Sequence, residues 1–179
     1  MMRVHSIKVL ARKASAAVQG LQVGTLARIL MSFKPLYAEQ ILSRRKDCEI
    51  RTFFGPIESG DEVLVYESSP VKAFTGVFRV EGAVVARASE AIEFVRSSCS
   101  MFDEENWRFV EEHYVGSRRR LVVIVIDLES VRRLRKPVTL EEIRSIVPAF
   151  RPPMSYSRIS DELYEAVLEL GEGLEPPML

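Results

Sequence analysis

Apolar and polar positions along this chain switch several times between the two-residue period of a strand and the longer period of a helix. Residues 27–33 read as a strand. Pro35 suits the first turn of the helix that follows, where its missing N–H is no loss, and Leu36, Tyr37, Ala38, Ile41 and Leu42 form the apolar side of that helix. Strands are predicted near residues 47–54, 61–68 and 73–87, divided by turns at Gly55-Pro56 and Gly60-Asp61. Gly76 and Gly82 interrupt the third of these, as bulges or barrel bends do. Residues 89–99 and 103–115 read as two helices with Ser89 and Asp103 as N-caps. Ile92, Val95 and Cys99 line the first, and Trp107, Val110 and Tyr114 the second. The run LVVIVIDL at 121–128 is continuously apolar and β-branched, which predicts a central strand covered on both faces. Thr139 and Glu142 form a capping box before a short helix, a last helix starts near Ser160, and the tail from Gly171 is expected to fray.

Several strands with few intervening helices predict an α+β, mainly β fold: a small, partly closed barrel with flanking helices. A barrel of about six strands is filled by its own side chains, so a ligand must bind outside it. The length of 179 residues fits one domain with appendages. Residues 1–28 are expected to form a basic extension, 29–158 the domain, and 159–179 a C-terminal helix and tail. The formal net charge is zero, which excludes a global polycation that coats nucleic acid. The zero conceals an asymmetry: residues 1–38 contain Arg3, Lys8, Arg12, Lys13, Arg28 and Lys34 and no acid, so a local basic face is still available. The first 26 residues resemble a transit peptide in composition, and their apolar stretches are too short and too charged to span a membrane. Cys48 and Cys99 have neither metal-ligand spacing nor a disulfide framework, which fits a reducing, cytoplasmic setting. Arginine outnumbers lysine 19 to 6 and there is one asparagine, a balance expected of a thermophilic or archaeal source.

The stretch from Ser43 to Arg51 concentrates the chemistry. Strand alternation puts Glu49 and Arg51 on one face and Cys48 and Ile50 on the other, so an apolar face and a donor–acceptor face share one segment. Lys46 stands at the strand entrance, within reach of the polar face. These residues have two readings: a polar-ligand site, or basic residues that complement a helix C-terminus next to an exposed Glu/Arg pair.

The segment MSFKPLYAEQILSRRKDCEIR, followed by GDEVLVYESSPVKAFTGVFRV, resembles the ASCH family of the PUA-like superfamily. Its pattern runs S-x-K-P-x-[YF]-A-x-x-I-L-x-G-x-K-x-x-E-x-R, then a strand ending Y-x-[ST]-x-P-V and a strand carrying a glycine. Ser32, Lys34, Pro35, Tyr37, Ala38, Ile41, Leu42, Lys46, Glu49, Arg51, Tyr66, Ser68, Pro70, Val71 and Gly76 fall on it in order. Two positions depart from it: Arg44 replaces the glycine after the first helix, and Glu67 replaces a small residue. An arginine in the left-handed conformation costs about 1 kcal/mol relative to glycine.

The resemblance implies a PUA-like barrel and an RNA-binding module that takes a nucleotide or single-stranded RNA into a surface cleft. It places Lys34, Lys46, Glu49, Arg51, Tyr66 and Ser68 at that cleft. Arg51 and Lys34 suit phosphate, Glu49 an exocyclic amine, and Tyr37 or Tyr66 a stacked base. The alternative it implies is an enzyme. Some ASCH relatives are amidohydrolases acting on acylated cytidine, and others are associated with ribonuclease activity. In the amidohydrolases the lysine matching Lys46 is catalytic and a threonine nucleophile stands where this chain has Glu49. Lys46 and Glu49 are therefore the catalytic candidates of a metal-independent hydrolase only.

The stretch Arg151-Pro152-Pro153-Met154-Ser155-Tyr156 is similar to one that folds back beside the cleft in relatives, and reads as a rigid loop closing the barrel. Arg118-Arg119-Arg120 and Arg132-Arg133-Leu134-Arg135-Lys136 are expected to flank the LVVIVIDL strand as surface charge paired with nearby glutamates, the alternative being a nucleic-acid track extended from its two ends. There is no phosphate-cradling glycine loop, metal-ligand motif or serine elbow, so no cofactor or metal is expected.

Overall fold

The computed structural model describes residues 25–178, so the expected basic extension lies, over residues 1–24, outside the described residues. Six strands form, β1 (Arg28–Phe33), β2 (Cys48–Thr52), β3 (Glu62–Glu67), β4 (Ala73–Arg87), β5 (Arg120–Thr139) and β6 (Tyr156–Ile159). The helices are α1 (Pro35–Leu42), α2 (Ala88–Ser98), α3 (Glu104–His113), α4 (Leu140–Ile146) and α5 (Asp161–Leu170). One mixed sheet takes the order β2-β5-β4-β3-β1-β6 and curls into a half-barrel, the expected α+β class. β1 and β3 are parallel, and the other neighbours are antiparallel.

Strand alternation divides the apolar residues among three clusters. Ile29, Met31, Phe33, Val63, Val65, Phe78, Val122, Ile124 and Ile126 fill the concave side, with Ile41 and Leu42 of α1 plugging it. On the convex side, Leu30, Leu64, Tyr66 and Phe74 pack under α4 and α5. Cys48, Ile50, Leu121 and Val123 pack under α2 and α3. The LVVIVIDL run is therefore covered on both faces, as its composition predicts. Among the described residues no helix is long and apolar enough to cross a membrane.

Two of the three irregularities of β4 against β5 fall at its glycines, the third lying between Val77 and Arg79. Its register with β5 shifts between Phe74 and Gly76 and again between Val80 and Gly82. At Gly76 a Cβ would lie 2.5 Å from both the Arg132 carbonyl oxygen and Leu42 Cδ2, so the glycine lets α1 press against the sheet. The caps on Asp103 and Thr139 form as expected, and the last helix starts at Ser160, whose hydroxyl accepts from the Leu163 N–H. α2 begins one residue before the expected Ser89 cap, because the Glu90 side chain accepts from the Arg87 N–H and sets the helix start there.

Three expectations are corrected. β5 runs on to Thr139, so the cluster at 132–136 lies within a strand rather than beyond one; Val131, Leu134 and Val138 keep that half buried on one face. Two of its four cations are paired, Arg133 with Glu39 at 2.9 Å and Lys136 with Glu142 at 2.9 Å, while Arg132 and Arg135 donate to backbone carbonyls. The tail does not fray at Gly171. The Arg135 and Lys136 N–H groups donate to the Gly173 and Gly171 carbonyls, and the Glu175 N–H donates to the Arg133 carbonyl, so the tail docks on β5. Finally, Cys48 and Cys99, 51 residues apart, form a disulfide. Nothing in the sequence places them together, since a disulfide requires Cα atoms within about 7 Å.

Arg44 adopts a φ of 58°, the left-handed value that its glycine-like position requires, with its N–H donating to the Ile41 carbonyl. Arg44→Gly should therefore raise the unfolding free energy by about 1 kcal/mol in urea titration. Gly76→Ala should lower it by about 1–3 kcal/mol, because the added methyl meets a strand carbonyl that cannot move aside.

Candidate functional site

The two ends of the sheet, β2 and β6, approach each other without pairing, and side chains bridge the seam between them. The Tyr156 hydroxyl accepts from the Phe54 N–H (2.9 Å) and the Gly55 N–H (3.2 Å) and donates to the Gly55 carbonyl (3.0 Å). The Ser32 hydroxyl donates to the Pro153 carbonyl at 2.6 Å, and the Ser32 N–H to the Ser155 carbonyl at 2.9 Å. The Ser32 bonds fix the proline-rich stretch 151–156 to β1, and Tyr156 at its end carries it across to the segment after β2, which closes the barrel.

Lys46, Glu49 and Arg51 converge at this seam. Glu49 and Arg51 sit opposite Ile124 and Val122, so they face the concave side, while Cys48 and Ile50 face the α2–α3 layer. Lys46 Nζ donates to Glu49 Oε2 at 2.7 Å, and Arg51 Nε donates to Glu49 Oε1 at 2.5 Å. Arg51 Nη1 reaches the Ser155 carbonyl at 3.4 Å, and its guanidinium lies 4.6 Å from the centre of the Phe33 ring. Lys46 Nζ is 4.7 Å from the Tyr37 ring centre and 5.6 Å from that of Phe102.

Lys46 is 4% exposed and Glu49 6%, so the cleft expected around them is closed by packed side chains. Covering the polar face of β2 is the work of residues far away in sequence. Phe102 and α3 lie over Tyr37 and Lys46: Phe109 packs on Tyr37 with ring centres 5.8 Å apart, and Lys34 Nζ lies 5.8 Å from the Phe109 ring. Gln40 of α1 donates to Asp103 at 2.7 Å and accepts from Asn106 at 2.9 Å, joining α1 to the start of α3.

Burial works against ionisation of Glu49, but the Lys46 ammonium and the Arg51 guanidinium outweigh it and hold the carboxyl below the usual carboxylate range. Burial draws Lys46 below the ordinary lysine range, with Glu49 opposing. The hydrogen bonds fit the ionised network, since both Glu49 oxygens accept and neither has room to donate. Burial and the nearby Glu105, Glu49, Asp103 and Glu112 raise the Tyr37 hydroxyl. A Lys46 tied to Glu49 is a poor general base, because the proton it would have to release is held between opposite charges.

The remaining predicted residues separate into two places. Lys34 is exposed at the rim of the seam. Tyr66 and Ser68 do not join it. Tyr66 is buried on the convex side with its ring 5.2 Å from that of Phe74, so it cannot stack on a base at the seam. The Ser68 N–H donates to the Phe33 carbonyl and continues the β1–β3 ladder. Phe54 was not predicted. It is 68% exposed, and its ring stands 6.2 Å from that of Tyr156, at the mouth of the seam. Its sequence signal is an aromatic at the end of the predicted strand, just before the Gly55-Pro56 turn; β2 stops at Thr52 and leaves it uncovered. Two surface cavities, of about 320 Å³ beside Arg79 and Asp127 and about 400 Å³ beside Lys72 and Arg144, lie elsewhere. Asp47, Cys48 and Cys99 bring three potential ligand atoms within 4.8 Å. The sulfurs are bonded to each other and Asp47 caps Ser100 and Met101, so this group does not make a metal centre.

No family model matches this sequence, and no curated protein does. Solved structures do match. An ASCH protein from Zymomonas mobilis is 19% identical and superposes with a TM-score of 0.67 over 80% of this chain and 95% of that one. A mutant of the same protein gives 0.64 at 19% identity, over 80% of this chain and 96% of that one. A protein from Rhodopseudomonas palustris gives 0.50 at 16% identity, over 82% and 94%. The chain has an ASCH-like fold.

Replacing Glu49 is expected to cost the fold itself. Glu49→Ala leaves a buried ammonium and a guanidinium facing each other, and stability should fall by about 3–5 kcal/mol. Since the folded pKa of Glu49 lies below its unfolded value of about 4.3, its contribution is complete above that pH and is lost as the pH falls through the folded value. Thermal melts from pH 6 downward should therefore show a steeper acid loss for the wild type than for Glu49→Gln.

Proposed function

We propose that this chain is an RNA-binding module that takes a nucleotide or a short single-stranded stretch across the seam between β2 and β6. The observation that supports this reading is the charge arrangement at the seam: Lys46 and Arg51 share one carboxylate, leaving a net positive network beneath a rim that carries Lys34. Arg51 Nη2 makes no hydrogen bond among the described residues and has the geometry to meet a phosphate oxygen. Phe54, exposed on its outer side and braced by Tyr156, is the stacking platform for a base, a role that tolerates any sequence. Such a partner implies a cytoplasmic protein.

The hydrolase alternative is weaker on chemistry. Glu49 is spent on two cations, and Lys46 would have to leave that pairing before it accepted a proton.

Fluorescence anisotropy with tRNA and with labelled single-stranded RNA, at about 50 mM and about 200 mM salt, tests the proposal. Phe54→Ala and Arg51→Ala should each weaken binding by about 1–3 kcal/mol. Lys34→Ala should weaken it less and reduce the salt slope by about one. Absence of binding at the lower salt sinks the proposal. Turnover of acylated cytidine by the wild type, lost in Lys46→Met, would replace it with the amidohydrolase.

A further inference from the structure

We infer that residues 99–114 form a lid over the Lys46–Glu49 pair, and that the Cys48–Cys99 disulfide keeps it shut; the inference rests on the RNA-binding reading of the seam. The disulfide joins the residue beside Glu49 to the C-cap of α2. Asp47 reinforces it by accepting from the Ser100 N–H (2.8 Å), the Ser100 hydroxyl (2.9 Å) and the Met101 N–H (3.0 Å). Residues 99–101 are thus fixed to the entrance of β2. The residues that follow are those that bury the site: Phe102 lies against Lys46, Asp103 and Asn106 bond to Gln40, and Phe109 covers Tyr37.

Two further features separate this layer from an ordinary packed element. It is acidic, with Asp103 close enough to act on Lys46 and Glu105 and Glu112 on Tyr37 beside it, so in the closed form it competes with a phosphate for that cation. It also docks imperfectly. Asn106 Oδ1 is buried with no hydrogen-bond partner, a cost that closure must offset. A covalent tie supplies what the polar fit lacks. In a cytoplasmic setting such ties are mostly transient or redox-sensing.

Opening requires a dithiol reductant. Its thiolate attacks Cys99 Sγ, the half-buried sulfur, since Cys48 is 1% exposed. Cys48 Sγ leaves with the electron pair and is protonated. The second thiol of the reductant then releases Cys99, so one dithiol is oxidised for one disulfide reduced. α3 can then lift from Tyr37 and expose Lys46, Glu49 and the inner edge of Arg51.

The test uses the full chain, oxidised or treated with dithiothreitol, and reads Lys46 directly by its rate of modification with an amine-reactive ester, followed by mass spectrometry. Trp107, the single tryptophan, lies on α3 with its ring 4.9 Å from Phe102 and reports the lid by its emission wavelength. Reduction should speed Lys46 modification by at least about tenfold, shift Trp107 emission to the red, and tighten binding of the labelled single-stranded RNA by about tenfold, while cooperative melting is retained. The doubly substituted Cys48→Ala/Cys99→Ala chain should behave as reduced and ignore dithiothreitol. If Lys46 and Trp107 respond but RNA binds in neither state, the lid stands and the RNA-binding reading falls. The lid is overturned if reduction changes neither Lys46 reactivity nor RNA affinity, or if it abolishes cooperative melting and so makes the disulfide a simple staple.

Discussion

A curled six-stranded sheet that stops before it closes has to satisfy the two edges it leaves facing each other. Here those edges belong to β2 and β6, and no backbone ladder joins them. Unpaired strand edges attract other strands, so they must be covered or bridged. Tyr156 does this at one end of the seam by placing a single hydroxyl among three backbone groups. Arg51 does it further along, reaching from β2 to the Ser155 carbonyl. The arginine can extend there only because Glu49 on the same face holds its Nε, and Glu49 is in turn held by Lys46.

This dependence ties the barrel's geometry to its charges. Two cations and one carboxylate sit where the concave apolar cluster reaches the surface, with Phe33 and Tyr37 as their neighbours. In such surroundings removal of one partner is far more damaging than exchange of the whole network for apolar groups, because the damage comes from the charge left behind. The seam is therefore a place where single substitutions disturb folding together with the binding proposed for it. Variants at its outer rim, Lys34 and Phe54, separate the two effects better than variants of the buried pair.

Much of this was legible in the sequence, and the parts that were not share a physical cause. Alternation along β2 assigned Glu49 and Arg51 to one face and Cys48 and Ile50 to the other, because one side of that strand is polar and the other is not. On β3 the same logic had nothing to work on. Val63, Leu64, Val65 and Tyr66 are all apolar, and the pattern could not say that Val63 and Val65 turn inward while Tyr66 packs under α4 and α5. The left-handed Arg44 was readable from a glycine missing at a helix end, and the bends at Gly76 and Gly82 from glycines inside a strand. The lower half of β5 was hidden because Asp127 and Glu129 interrupt its apolar run before Val131 and Leu134 resume it. The burial of Lys46 was hidden for another reason: Phe102, which completes the cover that Tyr37 begins, lies more than fifty positions away, and long-range coverage leaves no local signature.

A buried Lys–Glu–Arg network is weak evidence for stability, since well-packed apolar side chains usually serve that purpose as well or better. The seam could have been closed by such residues, given the apolar cluster directly beneath it. What charges supply and apolar groups do not is a set of strong donors held in place beforehand, so that an anion meeting them needs little further ordering of the protein. Arg51 with one nitrogen uncommitted, backed by a carboxylate that fixes its plane, has that property. The acidic layer of α3 has the opposite sign and packs on Tyr37 beside Lys46, the other cation of the network. Attraction below and competition above make sense together if access to the seam is controlled, whereas a purely structural seam would need neither.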